Sequence, residues 1–193
     1  MDINLFIVAV YSYFLGSIPF GLLLAKIFLK KDIRTVGSGN IGATNVLRTG
    51  NKFLAIATLF LDLLKGYISV YITMFYFESL TSYSALICFI GHIFPIWLKF
   101  KGGKGGATYL GVILALSYKF FLIFGISWIS LSLLFRFASL SSMISTLVVF
   151  LYAYFFEINN NILILFIFFV MILFTHKENI LRLKSSTENK IKL

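Results

Sequence analysis

The sequence predicts an all-α protein built into a membrane: a polytopic helical bundle of about seven transmembrane helices, forming one domain over residues 1–193. Composition is the first reason. The chain is 60% hydrophobic and 12% charged, with a mean hydropathy of +0.96, whereas a soluble domain is about half apolar and about a quarter charged. Apolar stretches at 3–29, 53–77, 81–98, 106–118, 120–135, 143–157 and 161–175 are the second. The third is the uneven placement of the +10 net charge.

The first stretch follows Asp2 instead of a basic segment and outruns a signal-peptide core, so it reads as a retained helix. Gly16, Pro19 and Gly21 interrupt it and permit a bend or close packing. Within the second stretch Asp62 and Lys65 stand three residues apart. Unpaired, each would cost roughly 2.5–3.5 kcal/mol at a helix centre, so a structural ion pair facing the bundle is expected ahead of a catalytic role. The third stretch carries the sole cysteine, Cys88, read as packing, and His92 beside Pro95. A hydrogen-bonded structural role suits that histidine at least as well as a catalytic one. The fourth stretch, at 106–118, is too short. It rises only about 20 Å, against a hydrocarbon core of about 30 Å, so it thins the bilayer or starts in a protein-lined cavity. A five-span arrangement, with 106–135 re-entrant or merged, is the alternative.

Charge orients the bundle. Lys30, Lys31, Arg34, Arg48 and Lys52 follow the first stretch, and Lys99, Lys101 and Lys104 the third. Arg136 follows the fifth; Lys177, Arg182, Lys184, Lys190 and Lys192 follow the last. Asp2, Glu78 and Glu157 lie at the opposite ends, with Lys119 the basic exception. Basic residues collect in the cytoplasm, which places the N-terminus outside and the C-terminus inside.

Four polar segments fall on that cytoplasmic face. The first holds Gly37-x-Gly39-x-x-Gly42, the letters of a dinucleotide fold. No strand precedes it and Asp62 lies in an apolar helix, so that reading fails. The mechanics survive: glycines let amides converge on an anion where a helix begins. Ser38, Asn40, Thr44 and Asn45 add short donors, and Arg48 can grip a phosphate with two N–H groups. In the second segment Lys101 and Lys104 stand among Gly102, Gly103, Gly105 and Gly106. This is not a Walker loop, but it has the parts of a phosphate cradle. The third is the serine-rich segment after Arg136, for which a polar-site reading and a turn capping the sixth helix stand level. In the fourth, His176, Asn179 and Arg182 are spaced to share a helix face.

Paired catalytic carboxylates, a serine–histidine–acid set and a metal cluster are not evident, so the residues point to a protein that handles small phosphorylated molecules. Six motifs sharpen this: Gly16-Ser-Ile-Pro-Phe-Gly21, Gly37-Ser-Gly-Asn-Ile-Gly-Ala-Thr-Asn45 with Arg48, Leu61-Asp-Leu-Leu-Lys-Gly66, Gly91-His-Ile-Phe-Pro95, Phe100-Lys-Gly-Gly-Lys-Gly105 and His176-Lys-Glu-Asn-Ile180. In that order they resemble the bacterial acyl-phosphate:glycerol-3-phosphate acyltransferase (PlsY) family over nearly the whole chain.

The resemblance implies a seven-helix enzyme of the bacterial cytoplasmic membrane with its site facing the cytosol. It implies acyl transfer from acyl phosphate to the 1-hydroxyl of glycerol 3-phosphate, the first step of phospholipid synthesis, with no cofactor, no metal and no nucleic acid. Membrane lipid is the expected surrounding partner, and a monomer is compatible with this. By the same resemblance Ser38, Arg48, Lys104, His176 and Asn179 are the expected catalytic set. Gly39, Asn40, Thr44, Asn45, Lys101, Gly102, Gly103, Gly105 and Ser142 are the expected substrate-binding set. The histidine-and-aspartate box of other glycerolipid acyltransferases is absent, since Trp97 stands five residues after His92 and Leu181 five after His176. The proton of the attacking hydroxyl is expected on a substrate phosphate oxygen, with His176 or His92 as the other acceptors.

A carrier for a small organic phosphate is the rival reading, favoured by Asp62, Lys65 and the broken first helix. Inverted repeats are not evident, and the anion segments cluster on one face instead of at midplane. A purely structural membrane subunit is a distant third, because it needs no glycine-and-cation loops. The topology is open to test with cysteines placed near Asp2 and Lys192. An impermeant thiol reagent is expected to label them from opposite sides, and labelling from one side would refute seven spans.

Overall fold

The structure, a computed structural model, describes residues 2–157 and 162–191. Lys192 and the predicted start of the seventh stretch lie outside them. Among the described residues there are ten α-helices, three single 3-10 turns and no strand. The chain divides into two compact units, Met1–Leu116 and Ser117–Leu193.

The first unit opens with α1 (Ile3–Ser17), whose N-terminal amides are capped by the Asp2 carboxylate at 3.0 Å from the Asn4 nitrogen. Pro19 has no N–H and breaks the helix, which resumes as α2 (Phe20–Phe28). The short α3 (Ala43–Leu47) sits in the first polar loop, and Asn51 caps the long α4 (Lys52–Tyr76). Then come α5 (Thr81–Ile93) and α6 (Gly106–Leu116).

Backbones touch where these helices cross. A Cβ on Gly16 would lie 2.0 Å from the Cys88 carbonyl oxygen, and one on Gly91 would lie 2.4 Å from that of Tyr13, so α1 and α5 meet through glycine on both sides. The α4–α6 crossing is built the same way: a Cβ on Gly66 would lie 2.5 Å from the Thr108 oxygen, and one on Gly111 would lie 1.9 Å from the Leu63 oxygen. In lipid, where apolar side chains gain little by exchanging acyl chains for one another, such close approach is what holds helices together. Buried hydroxyls add to it. Tyr11 bonds Thr73, and Ser84 bonds both Ser12 at 2.8 Å and Ser69 at 3.1 Å.

The second unit contains α7 (Tyr118–Phe135), α8 (Ala138–Phe156), α9 (Ile162–Thr175) and α10 (Lys177–Lys184). α8 packs between α7 and α9. It begins at Ala138, five residues before the predicted stretch, so the serine-rich segment is not a capping turn. Phe137 is the N-cap and makes no side-chain cap bond. Ser141 and Ser142 instead donate back to the Phe137 and Ala138 carbonyls, each at 2.9 Å, as hydroxyls inside helices do. The α9–α10 pair bends by 59°.

Each of the seven predicted stretches carries helix among the described residues. Among the described residues five segments are long and apolar enough to cross a membrane: Ile3–Phe28, Lys52–Tyr76, Glu78–Leu98, Tyr118–Phe135 and Ala138–Phe156. The bent α9–α10 pair would make a sixth, and α6, with 11 residues, falls short.

The glycines divide into two kinds. A Cβ on Gly125 of α7 would meet nothing within 4 Å. G125A is therefore expected to raise the thermal midpoint in detergent, by up to ~1 kcal/mol of helix propensity. G111A is expected to lower it, by about 1–3 kcal/mol of overpacking. Thermal unfolding of the two variants checks the opposite signs.

Candidate active site

The site starts from the interruption at Pro19. In an unbroken helix the Ser17 and Ile18 carbonyls would accept from amides four residues on. Here the Trp97 indole N–H donates to the Ser17 oxygen at 2.9 Å, and the Lys65 ammonium donates to the Ile18 oxygen at 2.6 Å. Lys65 also pairs with Asp62 at 2.8 Å, both side chains being 2% exposed. The His92 Nδ1 stands 3.9 Å from the same carboxylate. The expected ion pair is thus present, and its lysine also completes the broken backbone of a neighbouring helix.

Above this lies the first polar loop. Ile33, Ile41 and Val46 bury themselves with Leu22, Ala25, Leu54 and Ala55, and Leu98 of the second loop packs on the same cluster. The two glycine-bearing loops therefore share one small core. Asn45 organises the first of them. Its Oδ1 accepts from the Ser38 amide at 3.0 Å, and its Nδ2 donates to the carbonyls of Ile33, Val36 and Asn40 at 2.8–3.0 Å. The buried side chain of Asn45 is thus spent on holding the loop together. The Gly39 amide is likewise used, closing a turn onto the Val36 oxygen at 3.0 Å. Gly37 and Gly39 take φ of +57° and +71°, the left-handed region that glycine enters without strain.

The two arginines of this loop differ. Arg34 is engaged by Asp32 through Nε at 2.9 Å and Nη2 at 2.6 Å, which holds the Asp32 carboxyl at about 2. Arg48 makes no side-chain hydrogen bond or ion pair among the described residues, its backbone amide alone donating to the Asn45 carbonyl oxygen at 3.1 Å. Its exposed side chain folds over Gly37, where a Cβ would come within 3.4 Å of Nη1. The neighbouring Ser38 hydroxyl also bonds no other described residue. Asn40 is half-buried and Thr44 exposed on the first turn of α3.

The second loop leaves α5 after Ile93 and folds straight back on His92. Gly102 donates to the Ile93 oxygen at 2.9 Å and Gly103 to the His92 oxygen at 3.1 Å. A Cβ on Gly103 would sit 2.2 Å from the His92 Nε2, and one on Gly105 2.3 Å from the Phe89 ring. Two of the amides expected to face a phosphate are therefore committed to backbone carbonyls. At 102 and 103 glycine is required for contact with His92 and Pro95. Lys104 is half-buried beside them and Lys101 exposed.

In the second unit Ser142 accepts from the Trp128 indole N–H at 3.0 Å. His176, at the α9–α10 bend, sets its Nδ1 2.8 Å from the Ile172 carbonyl, which fixes the proton of a neutral ring on that nitrogen. Asn179 and Arg182 share a face as their spacing predicts, and a carboxylate meets them. Glu188 accepts from Asn179 at 2.6 Å, from Ser139 at 2.8 Å and from Arg182 at 2.7 Å. Burial pushes the Glu188 carboxyl up, but these three donors and the guanidinium charge bring it below the usual glutamate range. The following residues are tied down by Ile191, whose amide donates to the Arg136 oxygen at 2.7 Å.

This arrangement has known counterparts. A family model described as glycerol-3-phosphate acyltransferase matches residues 6–186. A glycerol-3-phosphate acyltransferase of Pelagibacter ubique is 52% identical over 97% of both chains. Another, from Mesorhizobium japonicum, is 45% identical over 99% of this chain and 98% of its own. The chain belongs to the glycerol-3-phosphate acyltransferase family. Among solved structures, the glycerol 3-phosphate form of the integral membrane acyltransferase PlsY (YgiH) superposes with a TM-score of 0.92 at 36% identity, covering 97% of this chain and 96% of that one. Its lysophosphatidic acid form gives 0.90 at 35%, covering 97% and 95%.

Two members of this acyltransferase's polar framework are not visible in the sequence, Trp128 and Glu188, while Ser139 lies within the serine-rich segment already noted. Trp128 looked like any aromatic of an apolar stretch, and Glu188 like a solvated tail charge. The spacing of Asn179 and Arg182, both donors, was the one available hint that an acceptor must return to them.

Because the Glu188 carboxyl is lower when folded than unfolded, its contribution is present above the ordinary carboxylate range and fades as pH falls through the folded value. E188Q is expected to melt below the parent chain at pH 7, with the gap closing in acid. A pH series of thermal midpoints in detergent measures it, and a gap that is constant with pH would refute the charge argument.

Proposed function

We propose that the chain transfers an acyl group from acyl phosphate to the 1-hydroxyl of glycerol 3-phosphate, yielding lysophosphatidic acid and phosphate. The observation that carries this reading is the Arg48 guanidinium. It has no protein partner among the described residues and folds over left-handed Gly37 beside the Ser38 hydroxyl. A guanidinium left unpaired in a glycine loop is matched to a phosphate, which it can grip with two parallel N–H groups. The solved relatives, described in glycerol 3-phosphate and lysophosphatidic acid forms, support the same substrate and product.

In this reading Ser38, Arg48, Ser142, His176 and Asn179 hold glycerol 3-phosphate, with Lys101 assisting at the second loop. Lys104, Gly105, Asn40 and Thr44 attend the phosphate of the donor. Gly39, Asn45, Gly102 and Gly103 shape the loops that present these groups. The acyl tail stays in lipid, so the donor comes from the bilayer. The whole chain acts as one acyltransferase domain in the bacterial cytoplasmic membrane. It spans that membrane seven times, with its N-terminus outside, its C-terminus inside and its site facing the cytosol.

An acyl phosphate is a mixed anhydride with a good leaving group. The 1-hydroxyl oxygen attacks the acyl carbon, the bond from that carbon to the phosphate oxygen breaks, and phosphate leaves with the electron pair. Positioning and charge neutralisation by Arg48 and Lys104 then suffice without a covalent intermediate. The hydroxyl proton passes to a phosphate oxygen, while His176 orients the acceptor.

Purified protein given labelled glycerol 3-phosphate is expected to make lysophosphatidate from palmitoyl phosphate and not from palmitoyl-CoA. R48A and K104A should each lower the rate by about 10- to 100-fold, the worth of a charged hydrogen bond. H176Q should keep kcat within a few-fold; a larger loss would make the histidine the base. Product from neither donor would overturn the reading.

A further inference from the structure

The hydroxyl of Ser142 has a fixed sense. Its proton goes to the Ala138 carbonyl at 2.9 Å, and one of its two lone pairs receives the Trp128 indole N–H at 3.0 Å. A serine hydroxyl has one donor and two acceptor positions, so one acceptor position is left. Any ligand group that binds this oxygen must donate to it. A phosphate dianion oxygen cannot; an alcohol can.

We propose that Trp128 is a positioning residue for the acceptor substrate, fixing Ser142 as a pure hydrogen-bond acceptor that holds the secondary hydroxyl of glycerol 3-phosphate. The choice between the two hydroxyls follows from where protons go. The attacking hydroxyl must lose its proton. Ser142 cannot relay one, because its own is committed to Ala138, and accepting the indole N–H makes its oxygen a poorer base. It suits the hydroxyl that keeps its proton throughout. Trp128 lies on α7 and Ser142 on the first turns of α8, across the tight turn at Arg136, whose φ is 63°. Both side chains are half-buried. Without the indole N–H the serine is free to turn and donate, and the order that the indole imposes before binding is lost.

The inference rests on the acyl-transfer reading and is tested so that the two can fail separately. Initial rates with palmitoyl phosphate are measured against glycerol 3-phosphate and against 3-hydroxypropyl phosphate, which lacks the secondary hydroxyl. In W128F the KM for glycerol 3-phosphate is expected to rise about five- to tenfold, the worth of one hydrogen bond. The KM for the deoxy acceptor should stay within about twofold, well inside that change. S142A should show the same narrowing of selectivity, and the double variant no further loss. An unchanged KM for glycerol 3-phosphate in W128F, or an equal loss with both acceptors, overturns the proposal. Should W128F melt far below the parent chain, S142A carries the test by the same criterion. Absence of product from the parent chain would instead overturn the acyl-transfer reading itself.

Discussion

One buried ammonium sets the first unit in order. The break at Pro19 leaves the Ser17 and Ile18 carbonyls without their regular helical partners, Ile18 keeping a tight-turn bond from the Phe20 amide at 3.1 Å, in an apolar bundle where an unsatisfied group costs several kcal/mol. Lys65 caps one and Trp97 the other. Lys65 needs a counter-charge at that depth, and Asp62 supplies it one helical turn earlier. Asp62 in turn lies beside His92, against which the second glycine loop is folded. The break in the first span, the long α4 and the second loop are thereby coupled through one ion pair. Removing either charge would strand the other in a medium that cannot hydrate it.

Glycine does two separate jobs here. At positions 37 and 39 it provides left-handed backbone, which turns the first loop so that Asn45 can gather three of its carbonyls. At 102 and 103 it provides absence of volume, so that the loop lies on His92 with its amides already bonded. A glycine-rich cationic segment is therefore an incomplete guide to an anion site. What distinguishes such a site is which charge remains uncompensated: the Arg34 guanidinium is engaged by Asp32, and that of Arg48 has no partner among the described residues.

Much of this was legible in the sequence. Apolar length located helix at each of the seven stretches, the spacing of Asp62 and Lys65 foretold their pairing, and the shortness of α6 was plain from counting. The motifs led directly to the family. Three things stayed hidden. The start of α8 was placed late because serines near a helix end read as caps, although within the helix they satisfy themselves on preceding carbonyls. The organising role of Asn45 is not visible in sequence, because an asparagine advertises donors without showing that the loop's own carbonyls consume them. Glu188 and Trp128 depend on contacts between segments distant in sequence, which no local period reports.

The Glu188 contact has a bearing on biosynthesis. Asn179 and Arg182 emerge from the ribosome before the acceptor that gathers them, and α9 is already made by then. Segments of a nascent chain fold in the order they are made. The polar end of the second unit must therefore wait, with its donors hydrated, until the residues around 188 arrive and draw it shut. A membrane-inserted chain stalled just short of that point would carry every helix of the fold and still lack its last tie.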